Sequence, residues 1–346
     1  MAKARRPDLS TLPGGKEFTW RDGERTIILR EGAFEEAAEL LAAHGWEQFE
    51  LLTTPRALAD APLELARGAS AVHEVQRGPV NTVSAALVDA VRASRLVALG
   101  GGRVIDTAKA IAAVKGGRVG AIPTTLSGAE VTTIHRLPDG YSASRLVRPA
   151  LVICDPEKMT SLPEAELRAS AMNSLAHAAE ALYTPLANPV ATMSALRGAE
   201  LLAIALDQEP GGRDRAALAA GSLLGAWALD SAMFALHHVI CQTLVRMLEI
   251  PHAETNAAML PRTIEAMRPR APAAIKALAW ALGTSVEEIG PRIEELGGGR
   301  RRLSELGADP KRLPKALDAI LARSELGMTP HPPDREELRA IIESAW

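Results

Sequence analysis

The chain has 346 residues, of which 47% are apolar and only 3% aromatic, and it carries a formal net charge of −3. That length suits two domains of ordinary size, with a core built mainly from Ala and Leu, a composition that favours helices. The slight negative charge argues against nucleic acid as the main partner, and two isolated cysteines, Cys154 and Cys241, form no disulfide framework and fit a reducing cytoplasm.

The opening MAKARRPDLSTLPGG is basic, punctuated by Pro and Gly, and lacks the apolar core of a signal peptide, so residues 1–20 read as a loose tail. From there strand and helix alternate. RTIILR (25–30) reads as a strand, and residues 32–45 as a helix ending at a Gly cap. QFELLTT (48–54) and AVHEVQ (71–76) are the next strands, then residues 82–94 form a helix. RLVALG (95–100) is a short apolar strand that runs through a Gly turn into a helix, and VGAIPTT and ALVICDP complete a set of six. Such alternation means a mainly parallel sheet covered by helices.

After Asp155-Pro156 the strand signal ends. Residues 162–346 read as helices broken by NP, EPGG, IPH, RPRAP, GGG and TPHPP. The expected organisation is an α/β dinucleotide-binding domain over 21–160 and an all-α substrate domain over 161–346, with a ligand cleft between them. The uncharged apolar run at residues 216–229 is shorter than the roughly 18–20 residues that span a bilayer, so it reads as a buried helix and no membrane anchor is expected.

The phosphate signal lies in LVALGGGRVIDTAKAIA. A buried strand meets Gly100, Gly101 and Gly102 and then a helix, whose free N–H groups and positive end suit a pyrophosphate, with Asp106 on its first turn. The spacing is not that of the ordinary Rossmann fingerprint, and a plain strand–helix turn is the alternative. Thr124, Thr125 and Ser127 follow another strand end, where ligands of open α/β sheets bind. Thr54, after the second strand, stands where an acid often holds the adenosine ribose, so NADH and NADPH both remain candidates. A second Gly triplet, residues 297–299, follows no strand and precedes three arginines, and reads as a helix linker.

Asn173 and His177 share one helix face in AMNSLAHAAEALY, and His237, His238 and His252 lie in a second short stretch. Each His taken singly could be an ordinary core residue. Together, His177, His238 and His252 could hold a metal with an open position. Neutral imidazoles and Asn173 bring no negative charge, however, and a divalent ion in a dry site would keep its full charge. No tightly held metal is therefore expected. If one is present, its ligands are Asn173, His177, His238 and His252.

GGGRVIDTAKAIA, AIPTTLSGAEVT, DPEKMTSLP, SAMNSLAHAAEALY, LHHVICQ and LPRTIEAMRPRAP resemble the iron-containing alcohol dehydrogenase superfamily. MNSLAHAAEALY, LHH…C, IPHAET and TPHPP…AW resemble its maleylacetate reductase branch, in the same order over residues 25–346. The resemblance implies a dehydroquinate synthase-like architecture: a Rossmann-like α/β domain with a parallel sheet, plus an all-α domain, paired as a homodimer. It implies a cytoplasmic NAD(P)H-dependent reductase of a small-molecule substrate, with no nucleic-acid or membrane partner. The reaction is hydride transfer to the C=C bond of maleylacetate, or a related enone carboxylate, giving 3-oxoadipate during aromatic-compound degradation. The metal-using members bind their ion at the positions of Asn173, His177, His238 and His252, and the reductase branch has Asn first and is regarded as not needing it.

Three positions depart from the family pattern. Gln242 stands where a further His is usual, Asn256 follows PHAET, and His331 stands where Arg is expected. These changes remove basic groups from the expected site and point to a less negatively charged substrate or a different binding mode. The expected roles are cofactor binding by Thr54, Gly100–Gly102, Asp106, Thr124, Thr125 and Ser127, enolate stabilisation by Asn173 with His177, His238 or His252, proton relay by His238 or His252, and a substrate carboxylate at His237. The rival expectations are a metal-dependent alcohol or aldehyde dehydrogenase of the same fold and a nucleotide-binding homologue with impaired catalysis.

Overall fold

The structure, a computed structural model, describes residues 25–143 and 145–346, and the expected tail over 1–20 lies outside them. The described residues divide into two compact units, 25–162 and 163–346.

The first unit runs β1 (Thr26–Leu29), α1 (Ala37–Ala43), β2 (Glu50–Thr53), α2 (Pro55–Ala59), α3 (Leu63–Gly68), β3 (Ala71–Glu74), α4 (Val80–Val88), β4 (Arg95–Gly100), α5 (Gly102–Lys115), β5 (Arg118–Pro123), β6 (Leu151–Cys154) and the single turn α6 (Pro156–Met159). All six expected strands are present. They form one parallel sheet of order β1-β6-β5-β4-β2-β3. Helices cover both faces of such a sheet, which is why β4, β5 and β6 read as continuous apolar runs. One core cluster gathers Phe34, Leu41, Trp46, Phe49 and Leu65 against Leu51, Val97, Leu99, Ile122 and Ile153 from the strands.

Two helices differ from the sequence pattern for identifiable reasons. Helix α1 starts at Ala37 rather than residue 32, because Gly32 takes a positive φ of 75° and the buried carboxylate of Asp155 accepts the Phe34 N–H at 3.1 Å. Helix α4 stops at Val88 rather than 94. Lys115 Nζ donates to the carbonyls of Val88 and Val91, and buried Glu50 accepts the N–H groups of Arg92 and Ala93. Both are long-range side-chain captures of backbone groups, which local propensity does not encode.

The second unit consists of α7 (Glu164–Ala181), α8 (Pro189–Leu206), α9 (Arg215–Ala232), α10 (Leu236–Leu248), α11 (His252–Met267), α12 (Pro272–Ala281), α13 (Ile289–Leu296), α14 (Leu313–Leu321) and α15 (Arg335–Glu343), linked by 3-10 turns. Asn188 and Asp214 accept the N–H groups of Ala191 and Ala217 and so start α8 and α9, with Pro189 at the first helical position of α8. Helix α8 is long and apolar enough to cross a membrane by composition, but 56% of that stretch is buried in the protein, as in a core helix.

Helix α7 is buried nearly all round from Leu167 to Ala181, so it is the central strut of this unit. Glycines let α9 approach it. A Cβ on Gly225 would lie 2.8 Å from the carbonyl oxygen of Ser174, and one on Gly221 would lie 2.9 Å from that of Gly198 on α8. The Ser174 and Ser222 hydroxyls meet at 2.9 Å in the same seam. Gly225→Ala should therefore force α9 away from α7 next to Asn173 and cost about 1–3 kcal/mol of stability, read as a lower urea midpoint at unchanged m-value. An unchanged midpoint would show that the seam is not tightly packed.

Candidate active site

In the N-terminal unit, the carboxyl ends of β2, β4 and β5 open on a cavity of about 780 Å3. Thr54, Gly101, Gly102, Thr124 and Thr125 line it, together with Phe34, Arg56, Arg77, Arg103 and Lys158. The turn needs its glycines. Gly100 has φ 152°, and a Cβ there would lie 2.8 Å from Val104 Cγ2. Cβ atoms on Gly101 and Gly102 would press on Thr125 and Ser127, at 3.1 and 3.0 Å. Helix α5 starts at this turn with Gly101 as a cap that has no side chain to offer, so its first N–H groups face outward for an acceptor. The crevice, the glycine turn and the cationic rim together fit a dinucleotide phosphate.

Gly100, Ser127 and Asp106 do not line this cavity. The carboxylate of Asp106 is engaged instead by the fully buried Lys109, whose Nζ lies 2.8 Å from Asp106 Oδ1, 3.0 Å from the Ala129 carbonyl and 2.8 Å from that of Ile134. Lys109 thus pins the loop that carries Ser127. Ser127 donates to Glu130 at 3.4 Å, and burial raises the Glu130 carboxyl to about 7.

The imidazoles assemble in the helical unit. His177 on α7 and His238 on α10 stack at 4.9 Å between ring centroids, and His237 meets His238 edge-on at 5.2 Å. The organiser is Glu180, fully buried one turn beyond His177. Its Oε1 accepts from the N–H groups of Ala235 and His237 at 3.1 and 2.7 Å and from the Tyr183 hydroxyl at 3.3 Å. Its Oε2 accepts from His238 Nδ1 at 2.5 Å and from the His238 N–H at 3.4 Å. Burial raises the Glu180 pKa while the backbone donors lower it, and a group gripped by so many donors is built to be a carboxylate.

With Nδ1–H committed to Glu180, His238 presents a bare Nε2 that has no partner among the described residues. Asn173 Nδ2 makes a long 3.4 Å contact with His177 Nε2, which leaves His177 Nδ1 as the protonated nitrogen. That Nδ1 and Asn173 Oδ1 are likewise buried without partners. Each unmatched buried polar atom costs about 1–3 kcal/mol, so three together mark a place shaped for a ligand. Burial pushes His237 and His238 down to about 3 and His177 well below its ordinary range, so all three are neutral near pH 7.

His237 cannot meet a substrate carboxylate as the sequence suggested. It is wholly buried, with Nδ1 at 2.9 Å from Thr263 Oγ1 and Nε2 at 2.9 Å from Asn256 Oδ1. Asn256, one of the departures from the family pattern, bridges to His252 by donating Nδ2 to its Nε2 at 3.3 Å and to its carbonyl at 2.8 Å. His252 is the exposed first residue of α11.

The donor set does not fit a tightly held divalent ion. Among the described residues no three His, Cys, Asp or Glu side chains are grouped to hold one. The Nε2 atoms of His177 and His252 both face amide NH2 groups, and the position nearest them holds a neutral Asn. The Glu180–His238 contact is of the kind that orients a metal-bound imidazole, but it aims a single nitrogen.

Sequence reasoning passed over Glu180 and Arg323. Glu180 lies inside AMNSLAHAAEALY, three residues beyond His177 and seven beyond Asn173, so helical spacing already placed it on their face. Arg323, whose Nη1 reaches Gln242 Oε1 at 2.9 Å across 81 residues of chain, had no local signal.

Comparison with known proteins identifies the family. Residues 24–156 match the family model for iron-containing alcohol dehydrogenase, and residues 168–346 match that for the C-terminal part of the Fe-containing alcohol dehydrogenase family. A maleylacetate reductase from Burkholderia cepacia is 31% identical over 92% of this chain and 95% of its own length, and one from Rhizobium sp. (strain MTP-10005) is 31% identical over 95% and 97%. The crystal structure of maleylacetate reductase from Agrobacterium tumefaciens superposes with a TM-score of 0.83 at 30% identity, covering 96% of this chain and 98% of that one. The chain is an oxidoreductase that belongs to the iron-containing alcohol dehydrogenase family, on its maleylacetate reductase branch.

Proposed function

We propose that this chain is an NAD(P)H-dependent reductase that adds hydride to the C=C bond of an enone carboxylate, maleylacetate or a close relative. The relatives named above support the substrate class. The observation that carries the chemistry is the trio of buried, unmatched polar atoms on Asn173, His177 and His238. A reduced dinucleotide, when bound, supplies the hydride, and Gly101, Gly102, Thr124 and Thr125 would hold its phosphates.

The protein's own part is electrostatic. As the substrate is reduced, negative charge collects on the carbonyl oxygen conjugated to the double bond. The His177 Nδ1–H is the buried donor for that oxygen, and Asn173 Nδ2 fixes the ring through Nε2, both held beforehand by packing on α7. His238 Nε2 is the basic atom of the pocket. It is neutral in the free protein, but an arriving carboxylate favours its protonated form. The imidazole then returns that proton to the carbon next to the carbonyl and completes the reduction. Glu180 steadies the transient positive charge through Nδ1. No divalent ion enters this scheme.

Two measurements test it. NADH or NADPH oxidation with maleylacetate should proceed equally with and without a strong chelator, and His238→Ala should lower kcat about 100-fold or more. Full loss on chelation, restored by iron or zinc, would favour a metal-dependent dehydrogenase instead. Proton bookkeeping gives the second. His238 is unprotonated above its value of about 3 in the free protein, so binding that raises its pKa takes up a proton. Calorimetry in buffers of different ionisation enthalpy should show net uptake, with substrate affinity falling as pH rises. Net release would contradict the role given to His238.

A further inference from the structure

Gln242 follows His238 by one turn of α10, where an imidazole was expected, and His331 replaces an expected arginine. His331 is exposed, with φ 48°, and its carbonyl accepts Arg270 Nε at 3.0 Å. A cation from another part of the chain reaches the imidazole cluster instead. Arg323, just before the 3-10 turn over Ser324–Met328, donates from Nη1 to Gln242 Oε1 at 2.9 Å. Its guanidinium lies 5.6 Å from the centroid of Phe234, and that ring lies 5.9 Å from His238. The Arg323 side chain is only 18% exposed. Its charge is close enough to help lower the His238 pKa.

We propose that the Arg323–Gln242 pair is the carboxylate anchor of this site, the element that selects an anionic substrate. This rests on the enone-carboxylate function proposed above. A guanidinium carries five N–H groups. Glu325 takes one from Nε and one from Nη2, at 3.4 and 2.8 Å, and Gln242 takes one from Nη1. Two remain, on the two terminal nitrogens that hold a carboxylate in parallel. Glu325 is twice as exposed as Arg323, so solvent screens it more. Its grip and the Phe234 face fix the guanidinium plane in advance. Gln242 Oε1 is occupied by the arginine, so its NH2 is left as a further donor. The anchor therefore offers donors only, the complement of a carboxylate, which only accepts. The positive charge missing at positions 242 and 331 is supplied by position 323.

The test uses the full chain and adipate, a saturated six-carbon dicarboxylate that cannot accept hydride, so no turnover is needed. By titration calorimetry the unmodified protein should bind adipate, Arg323→Ala should bind it about 10- to 100-fold more weakly, and Arg323→Lys should recover part of the loss. Gln242→Ala, which removes no charge, should weaken binding about 3- to 10-fold and serves where the alanine variant of Arg323 is poorly folded. Competition by uncharged dimethyl adipate should be insensitive to all three changes. Equal adipate affinity in the unmodified protein and Arg323→Ala, no adipate binding by the unmodified protein, or an equal loss for acid and ester overturns the anchor. Adipate binding that depends on Arg323, together with no reduction of maleylacetate, would refute the proposed reaction and leave the anchor standing.

Discussion

A single buried carboxylate holds the helical unit's pocket together. Helix α10 begins at Leu236 after a sharp elbow in which Met233 takes φ 62°, and the capping position is Ala235, which has no acceptor to offer. Its first N–H groups would be orphaned in the core. Glu180 reaches across from α7 and accepts two of them closely, with the positive end of the helix favouring its charge. The same side chain takes the Nδ1 proton of His238. One residue thus fixes where α10 starts, which tautomer His238 adopts and which nitrogen it turns inward. Removing it would leave backbone donors and an imidazole unsatisfied at once, so structure and chemistry share a single point of failure.

Much of this was legible in the sequence because it depends on local pattern. Six strands, the glycine turn after β4 and the change to helices after residue 156 follow from period and composition, and the structure has them where they were expected. The misjudged helix ends at residues 32–36 and 89–94 share a cause. Asp155, Glu50 and Lys115 reach the backbone from distant positions and offer it other partners than the next helical turn. Asp106 illustrates the same limit from the other side. An expected place on the first turn fitted a dipole argument, but α5 starts at Gly102, which puts Asp106 beyond that turn, and its actual partner is the buried Lys109.

The pocket was legible as a set of residues and illegible as a network. Spacing put Asn173 and His177 on one face, but the hydrogen bonds that separate an imidazole with a free nitrogen from a fully engaged one cross between helices. His237 and His238 are neighbours in sequence and have opposite fates. One is locked between Thr263 and Asn256, and the other keeps a free nitrogen. Asn256 shows why a departure from a family pattern is hard to interpret from sequence alone. It looked like the loss of a base, and in the structure it is the amide that couples His237 to His252.

The balance of charge explains how such a pocket can work with neutral histidines. In a dry interior an ion is stable only beside its complement. Glu180 is matched by helix N–H groups and by His238, and Arg323 is matched in part by Glu325. Between them lie imidazoles that burial holds uncharged and an asparagine in place of a carboxylate. A cation bound at that point would meet only neutral donors and the repulsion of Arg323. An anion would meet the guanidinium, the Gln242 amide, the His177 Nδ1–H and a ring nitrogen ready to take up a proton. The residues therefore favour negative charge on the ligand, and the transient charge of a reduced enone is of the same sign. Under the proposed reaction, binding the substrate and stabilising its reduction would ask the same thing of the pocket, which can be met without reorganising a side chain.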